Sequence, residues 1–421
     1  MEKQKNIPQL RFPKFKGVWE KKTVGDLGVF TGGGTPDTTI TKYWNGNVPW
    51  ISSSDIQDDT VQEYLTSRFI TDEAIRKSAT KIVPQNSILI VSRVGIRKFA
   101  VSKSPVCTSQ DFTSLTPFVD NPYFLAYYFI EKTNLFLRFS QGTSIKGFTG
   151  TDIKNMVFQV PSLPEQQKIA SFFTAIDQKI SQLKRKKSLL EQYKKGVMQK
   201  IFSQELKFKD DNGQEFPKWE KKRFTDVYSF KNNNSFSREN LNYEEGVVKN
   251  IHYGDLHTKL STWFDITKEK IPYINEDLPI ERISVDNYCK EGDLIFADAS
   301  EDLTDVGKSI ELVNLNNEKV LSGLHTILAR PDLSKMTIGF GGYLMKSLAV
   351  REQIIKEAQG SKVSSISAKK LSGIGLNIPI QKEQTKIANF LSAIDDKINH
   401  TQKQIEKAAV WKRGLMQQMF V

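Results

Sequence analysis

The sequence predicts an α+β protein: two similar α/β domains joined by two long helices that form an antiparallel coiled coil, with pseudo-two-fold symmetry. Three observations predict it. One stretch occurs twice at a spacing that divides the whole chain, each copy ends in a long heptad seam, and short β-type runs bounded by turn residues precede each seam.

The repeat comes first. "PSLPEQQKIASFFTAIDQKI" (161–180) returns without a gap 218 positions later as "PIQKEQTKIANFLSAIDDKI" (379–398). The match runs on through Tyr193/Trp411, Gly196/Gly414, Met198/Met416 and Phe202/Phe420. Upstream, "WEKK" stands at 19–22 and again at 219–222, and "ISSSDI" (51–56) is echoed by "IHYGDL" (251–256). A chain of 421 residues exceeds the usual single core. The predicted boundaries are a first domain at 1–164, a central helix at 165–202, a second domain at 203–382 and a C-terminal helix at 383–421.

In the first domain "GNVPWISSSDI", "NSILIVSRVGI", "FTSLTP" and "MVFQVPS" read as strands, with a shorter helix at 121–139. "NPYF" at 121–124 is a helix start: it lacks the second Pro of the adenine pocket of amino-methyltransferases, and no Gly-rich cofactor loop precedes it. In the second domain "CKEGDLIFAD", "HTILAR" and "GIGLNIP" are the corresponding strands, and 341–357 a helix.

Each long helix carries apolar residues spaced alternately by three and four. The central set is Phe173, Ile176, Ile180, Leu183, Lys187, Leu190, Lys194, Val197 and Ile201; the C-terminal set is Leu391, Ile394, Ile398, Thr401, Ile405, Ala408, Lys412, Leu415 and Met419. No Pro interrupts either, and Pro164 suits a helix start before Glu165. At about 1.5 Å per residue each spans roughly 57 Å. A lone helix cannot bury such a seam, so the two most simply pack on each other, the alternative being that each lies on its own domain. The chain must leave the end of the first and return to begin the second, so they pair antiparallel.

Composition narrows the function. The net charge of +12 divides as +6 for 1–164, +6 for 165–202, −2 for 203–382 and +2 for 383–421, which suggests a polyanionic partner met in the third segment through a local patch. "KRKK" (184–187) is either a solvated helix face or a contact to phosphates or a partner. No run of about 18 uncharged apolar residues and no signal-peptide h-region is present, so a cytoplasmic protein without a membrane is expected. Cys107 and Cys289 stand apart and read as buried thiols. "DVGKS" (305–309) lacks the first Gly of a phosphate loop, and His252, His257, His325 and His400 have no partners at metal spacing, so no metal site is expected. No catalytic constellation can be assembled. Two small domains on a spacer instead fit the reading of two separated half-sites in DNA.

"FPKFKGVWEKKTVGDLGVFTGGGTP" (12–36), "VPWISSSDI" (48–56) and the two "P-x-x-x-E-Q-x-K-I-A" helix starts resemble the specificity subunit of type I restriction-modification systems, over essentially the whole chain. The resemblance implies two target-recognition domains, each reading one half of a bipartite asymmetric site in double-stranded DNA. It also implies helices that set the spacer and dock two modification subunits, which methylate adenine. Restriction subunits then join. S-adenosylmethionine, ATP and Mg would be used by those other subunits, and this chain would be non-catalytic and bind no cofactor. In the second copy "TGGGTP" becomes "FKNNNS" (230–235), a departure from the family pattern. A free-standing bipartite DNA-binding regulator and a small-molecule enzyme are the competing readings.

On such a frame, loops supply the base-reading side chains. The candidates in the first domain are Gly34 and Thr35, then Ser92, Arg93, Arg97 and Lys98, then Thr143, Ser144 and Lys146. In the second they are Lys231, Asn232, Asn233, His252, Tyr253, Lys308, Ser361, Lys362 and Ser364. Arg and Lys suit guanine edges and phosphate, and Gly permits close backbone approach. The acidic insertion "DASEDLTDVGK" (298–308) could accept from cytosine N4, but phosphate repels most of its carboxylates.

Overall fold

The computed structural model describes residues 7–58, 60–93, 98–133, 150–360 and 362–421. Two compact units share the chain, the first made of residues 1–186 and 401–421 and the second of 187–400. The central helix, Leu163–Phe202, and the C-terminal helix, Gln381–Met419, each contribute to both units. Both begin two residues earlier than the sequence suggests.

In the first unit the "WEKK" strand Glu20–Thr23 pairs antiparallel with Val157–Val160, the strand that leads into the central helix. Among the described residues two four-stranded sheets follow. One has the order Gly28–Gly32, Thr113–Pro117, Ile88–Ile90, Phe99–Val101; the other Arg68–Ile70, Val48–Ile51, Val106–Thr108, Ile82–Val83. The latter contains a parallel pair, with Trp50 beside Cys107. The helix expected from 121 is present over Pro122–Glu131, its N-cap Asn121 accepting from the Phe124 N–H at 3.0 Å and Pro122 filling the first turn, where its missing N–H is not needed.

The second unit repeats this plan. Glu220–Arg223 pairs antiparallel with Gly375–Ile378. A five-stranded sheet runs Tyr228–Lys231, Thr326–Pro331, Leu294–Ala297, Ser309–Asn314, Trp263–Asp265, and a four-stranded sheet has Val248–Ile251 parallel to Lys319–Ser322. The single helix predicted at 341–357 is two, Gly341–Lys346 and Leu348–Glu357. Ser347 at φ −61°, ψ 145° leaves the helical region and breaks the ladder. Both cysteines are buried free thiols, as expected.

The duplicated Glu-Gln pair ties each long helix to its unit. In the first, the buried Gln166 amide donates to Asp120 Oδ1 (2.7 Å) and Pro161 O (2.9 Å) and accepts from the Asn121 N–H (2.8 Å). In the second, Gln384 donates to Lys335 O (2.8 Å) and Pro379 O (2.9 Å) and accepts from the Thr337 N–H (2.8 Å). Glu165 takes a bidentate bond from Arg11, both contacts 2.7 Å, whereas Glu383 accepts from the Trp219 indole at 3.1 Å. Three satisfied bonds per buried glutamine explain why this residue type is needed at both helix starts.

The seam is buried as the heptads require. Phe173, Ile176, Ile180, Leu183 and Ile405 join the core of the first unit along with Met419, and Val197, Leu391, Ile394 and Ile398 that of the second; Leu190 and Leu415 are partly buried. Within the first unit the two helical segments run antiparallel. Phe173 stacks on Phe420 (5.8 Å between centroids), while Asp177, one turn further on, meets Lys412, eight residues back. Lys187 is only half-buried and pairs with Glu191 on its own helix at 3.6 Å.

Candidate nucleic-acid interface

In the first unit four loop segments are fastened to one another by main-chain bonds. The Gly34 N–H donates to Thr108 O (2.8 Å), Ser109 N–H to Ile51 O (2.9 Å), Ser92 N–H to Asp111 O (2.7 Å), and Val91 N–H to Lys98 O (3.1 Å). The second unit uses the same pattern: Asn234 N–H to Ser322 O (2.9 Å), Gly323 N–H to Ile251 O (2.9 Å), Asp298 N–H to His325 O (3.1 Å), and Ala297 N–H to Lys308 O (2.9 Å). Position by position, Gly34 corresponds to Asn234, Ser92 to Asp298, Asp111 to His325 and Lys98 to Lys308. The backbone frame is common, and the side chains on it differ at three of these four positions, lysine being kept at 98 and 308.

That frame explains the glycines. A Cβ on Gly34 would lie 2.5 Å from the Ala79 and Thr80 main chain, and one on Gly33 would lie 1.9 Å from Ser109 O. Close approach is needed, and it is made to the protein's own main chain at Ala79, Thr80 and Ser109. Thr35 is exposed and its hydroxyl is hydrogen-bonded to the Gln110 side chain. Ser92 is buried and donates to Asp111 O at 3.1 Å, whereas Arg93 is exposed beside it. Lys98 Nζ lies 3.5 Å from Ser53 O and 3.7 Å from Asp58, which leaves it half-buried. Arg97, Thr143, Ser144, Lys146 and Ser361 lie outside the described residues.

In the second unit Lys231 pairs with Asp286, and the Asn232 N–H donates to Asn287 at 3.3 Å. The Asn233 amide donates to the carbonyls of Gly323 (3.1 Å) and Thr326 (2.8 Å), so it braces the loop that carries His325. His252 is the N-cap of the short helix Tyr253–Thr258, its Nδ1 accepting from the Gly254 N–H at 3.1 Å. Burial, with Arg238 nearby, holds its imidazole below the usual range and so neutral, as that bond demands. Tyr253 packs between His252 (4.7 Å) and His325 (5.4 Å). Lys308 donates to His257 O at 2.7 Å. Ser364 pairs with Ser300 in a short antiparallel ladder that joins the 359–366 loop to the 298–300 segment, while Lys362 is exposed.

The described candidate loops therefore do meet within each unit, yet several candidates serve the frame itself: Gly34, Ser92, Asn233, His252 and Ser364. The sequence analysis did not single out Gln110 or the Asp298–His325 pairing, although Asn234 and Asp298 fall within the loops 231–235 and 298–308 it named. Aligning "TSQDF" (108–112) with "SGLHT" (322–326) across the repeat would have exposed Asp111 and His325 as equivalents. Among the described residues no group of three or more His, Cys, Asp or Glu is placed to hold a metal ion, and no helix is long and apolar enough to cross a membrane.

Two segments of the chain, 17–192 and 217–408, match the type I restriction modification DNA specificity domain. The chain is 25% identical over 403 residues to the type I restriction enzyme MjaIX specificity subunit of Methanocaldococcus jannaschii, covering 92% of this chain and 89% of that one. It is 32% identical over 185 residues to the EcoR124I/EcoR124II specificity subunit of Escherichia coli, covering 42% of this chain and 45% of the relative. In fold it is similar to the S subunit of a type I restriction-modification system from M. genitalium, with a TM-score of 0.58, 14% identity and 99% of both chains covered. A duplicated recognition frame, two long helices and a family match to both halves have one common meaning: the chain belongs to the family of type I restriction-modification specificity subunits, which contribute DNA recognition and no catalysis.

Proposed function

We propose that each unit reads one half of a bipartite asymmetric sequence in double-stranded DNA, while the paired helices fix the unread spacer and dock two modification subunits. Those subunits methylate adenine with S-adenosylmethionine in the cytoplasm, and restriction subunits that use ATP and Mg join them. The observation that carries this reading is the duplicated main-chain frame with unlike side chains at three of its matched positions, Gly34, Ser92 and Asp111 against Asn234, Asp298 and His325, while a lysine is kept at 98 and 308. One frame held twice gives two readers of the same geometry, and different side chains give two different half-sites.

Two further features support the assembly. Trp411 in the first unit and Tyr193 in the second occupy equivalent repeat positions, and both are more than half exposed, at 55% and 54%. Large aromatics left open at matched positions suit two copies of one partner. A solved structure bearing on complex assembly of the type I R-M system is similar in fold to 95% of this chain, with a TM-score of 0.55 and 15% identity.

The test is base-resolution methylation mapping in cells with and without this chain. A gapped, asymmetric adenine-methylated sequence that disappears with the chain is expected. Specific nanomolar binding by the isolated chain with no chain-dependent methylation would favour a free-standing regulator instead.

A further inference from the structure

Asp298 and His325 stand where the first unit has Ser92 and Asp111, on the same main-chain bond. They are where the shared frame changes its chemistry most. Asp298 Oδ1 is buried and has no hydrogen-bond partner, although His325 Nδ1 lies 3.4 Å away, close enough to attract but not aligned to donate. The Asp298 side chain as a whole remains 31% exposed, so its open edge is the Oδ2 side. His325 is itself held at φ 57°, a left-handed conformation uncommon for a side chain of this size, by the turn that Asn233 braces and against the edge of Tyr253. A buried carboxylate oxygen without a donor, under an imidazole in a constrained turn, is not what folding alone would select.

Resting on the bipartite reading above, we propose that Asp298 and His325 form the specificity-determining pair of the second unit. The Asp298 carboxylate accepts from an exocyclic amino group, cytosine N4 or adenine N6, on a major-groove base edge. His325 is its positioning residue. Its imidazole, 3.4 Å from Asp298 Oδ1, flanks the buried edge of the carboxylate and leaves the Oδ2 edge open toward the groove. The tyrosine ring of Tyr253 fixes the imidazole plane, and the Asp298 main chain is locked on both sides, its N–H to His325 O and its carbonyl accepting from the Ile366 N–H at 2.8 Å. Such locking is what a base-reading contact needs, because a carboxylate that wanders cannot discriminate.

The experiment uses the full chain assembled with its modification subunits. Duplexes carrying the methylated site, with each base pair of both half-sites varied in turn, are methylated by the wild type and by Asp298→Asn and His325→Asn variants. Asn is chosen at 325 because it tolerates positive φ. Both variants are expected to lose discrimination by roughly ten-fold at one and the same base pair, one whose preferred base carries an amino group, with the other half-site unchanged. Discrimination kept at every position, or methylation lowered equally at all positions, overturns the proposal while leaving the bipartite reading intact. A wild-type complex that shows no base preference overturns both.

Discussion

Lys412 Nζ lies 2.5 Å from Asp177 Oδ1, and Tyr127 completes the site by donating its hydroxyl to Asp177 Oδ2 at 2.8 Å. The second unit holds the equivalent triad, with Lys194 2.5 Å from Asp395 Oδ1 and the Tyr343 hydroxyl 2.7 Å from Asp395 Oδ2. Each joins a lysine of one long helix to an aspartate of the other and to a tyrosine of the neighbouring short helix. Lys194 and Lys412 are thus polar residues on the heptad seam with a defined partner, and a single polar pair in an apolar seam fixes register.

The two triads differ in burial, and the difference is testable. The side chains of Lys412 and Asp177 are 8% and 3% exposed, against 17% and 28% for Lys194 and Asp395. Lys412→Met leaves Asp177 charged and buried and is expected to cost about 3–5 kcal/mol, whereas adding Asp177→Asn restores much of that loss. Lys194→Met is expected to cost about 1 kcal/mol, because water reaches its partner. Denaturant unfolding of the single and double variants measures both.

Glu311 gives the second unit a pH dependence. Its carboxyl is fully buried, accepting from the Gly339 N–H (2.6 Å) and the Gly342 N–H (2.7 Å), and burial pushes it up to about 8 while those two donors oppose the rise. The folded state therefore holds a proton that the unfolded state releases near 4.5. Its contribution is fully present below about pH 4.5 and is lost as pH rises through about 8. A Glu311→Gln variant is expected to flatten the decline of Tm between those two pH values. An unchanged pH profile would assign the decline to other groups.

The exposed aromatics Trp411 and Tyr193 carry the third prediction. Trp411→Ala and Tyr193→Ala are each expected to weaken binding of the modification subunit by about ten-fold or more, as buried aromatic anchors do at interfaces. Unfolding free energy should move by no more than about 1 kcal/mol, since both rings are largely open to solvent in this chain. Titration calorimetry with the purified modification subunit separates the two effects.

What the sequence made legible were the features with a period or a repeat. The 218-residue echo located both long helices to within two residues, and the three-four spacing picked out Phe173, Ile176, Leu391 and Ile394 as buried. Asn121-Pro122 announced its helix because capping is local chemistry. The break at Ser347 was hidden, since no Pro or run of Gly marks it. The candidate interface was half legible. Loop positions could be named, but whether Asn233 faces a ligand or two of its own carbonyls depends on a strand nearly a hundred residues away. His325 escaped notice because its significance comes from Asp298, a neighbour only in three dimensions.

The most direct test of the account exchanges residues 1–164 for the corresponding segment of another member of the family, followed by base-resolution mapping of adenine methylation. Two independent readers predict that one half of the methylated sequence changes while the other half and the spacer stay the same. A change in both halves, or in neither, would contradict the account.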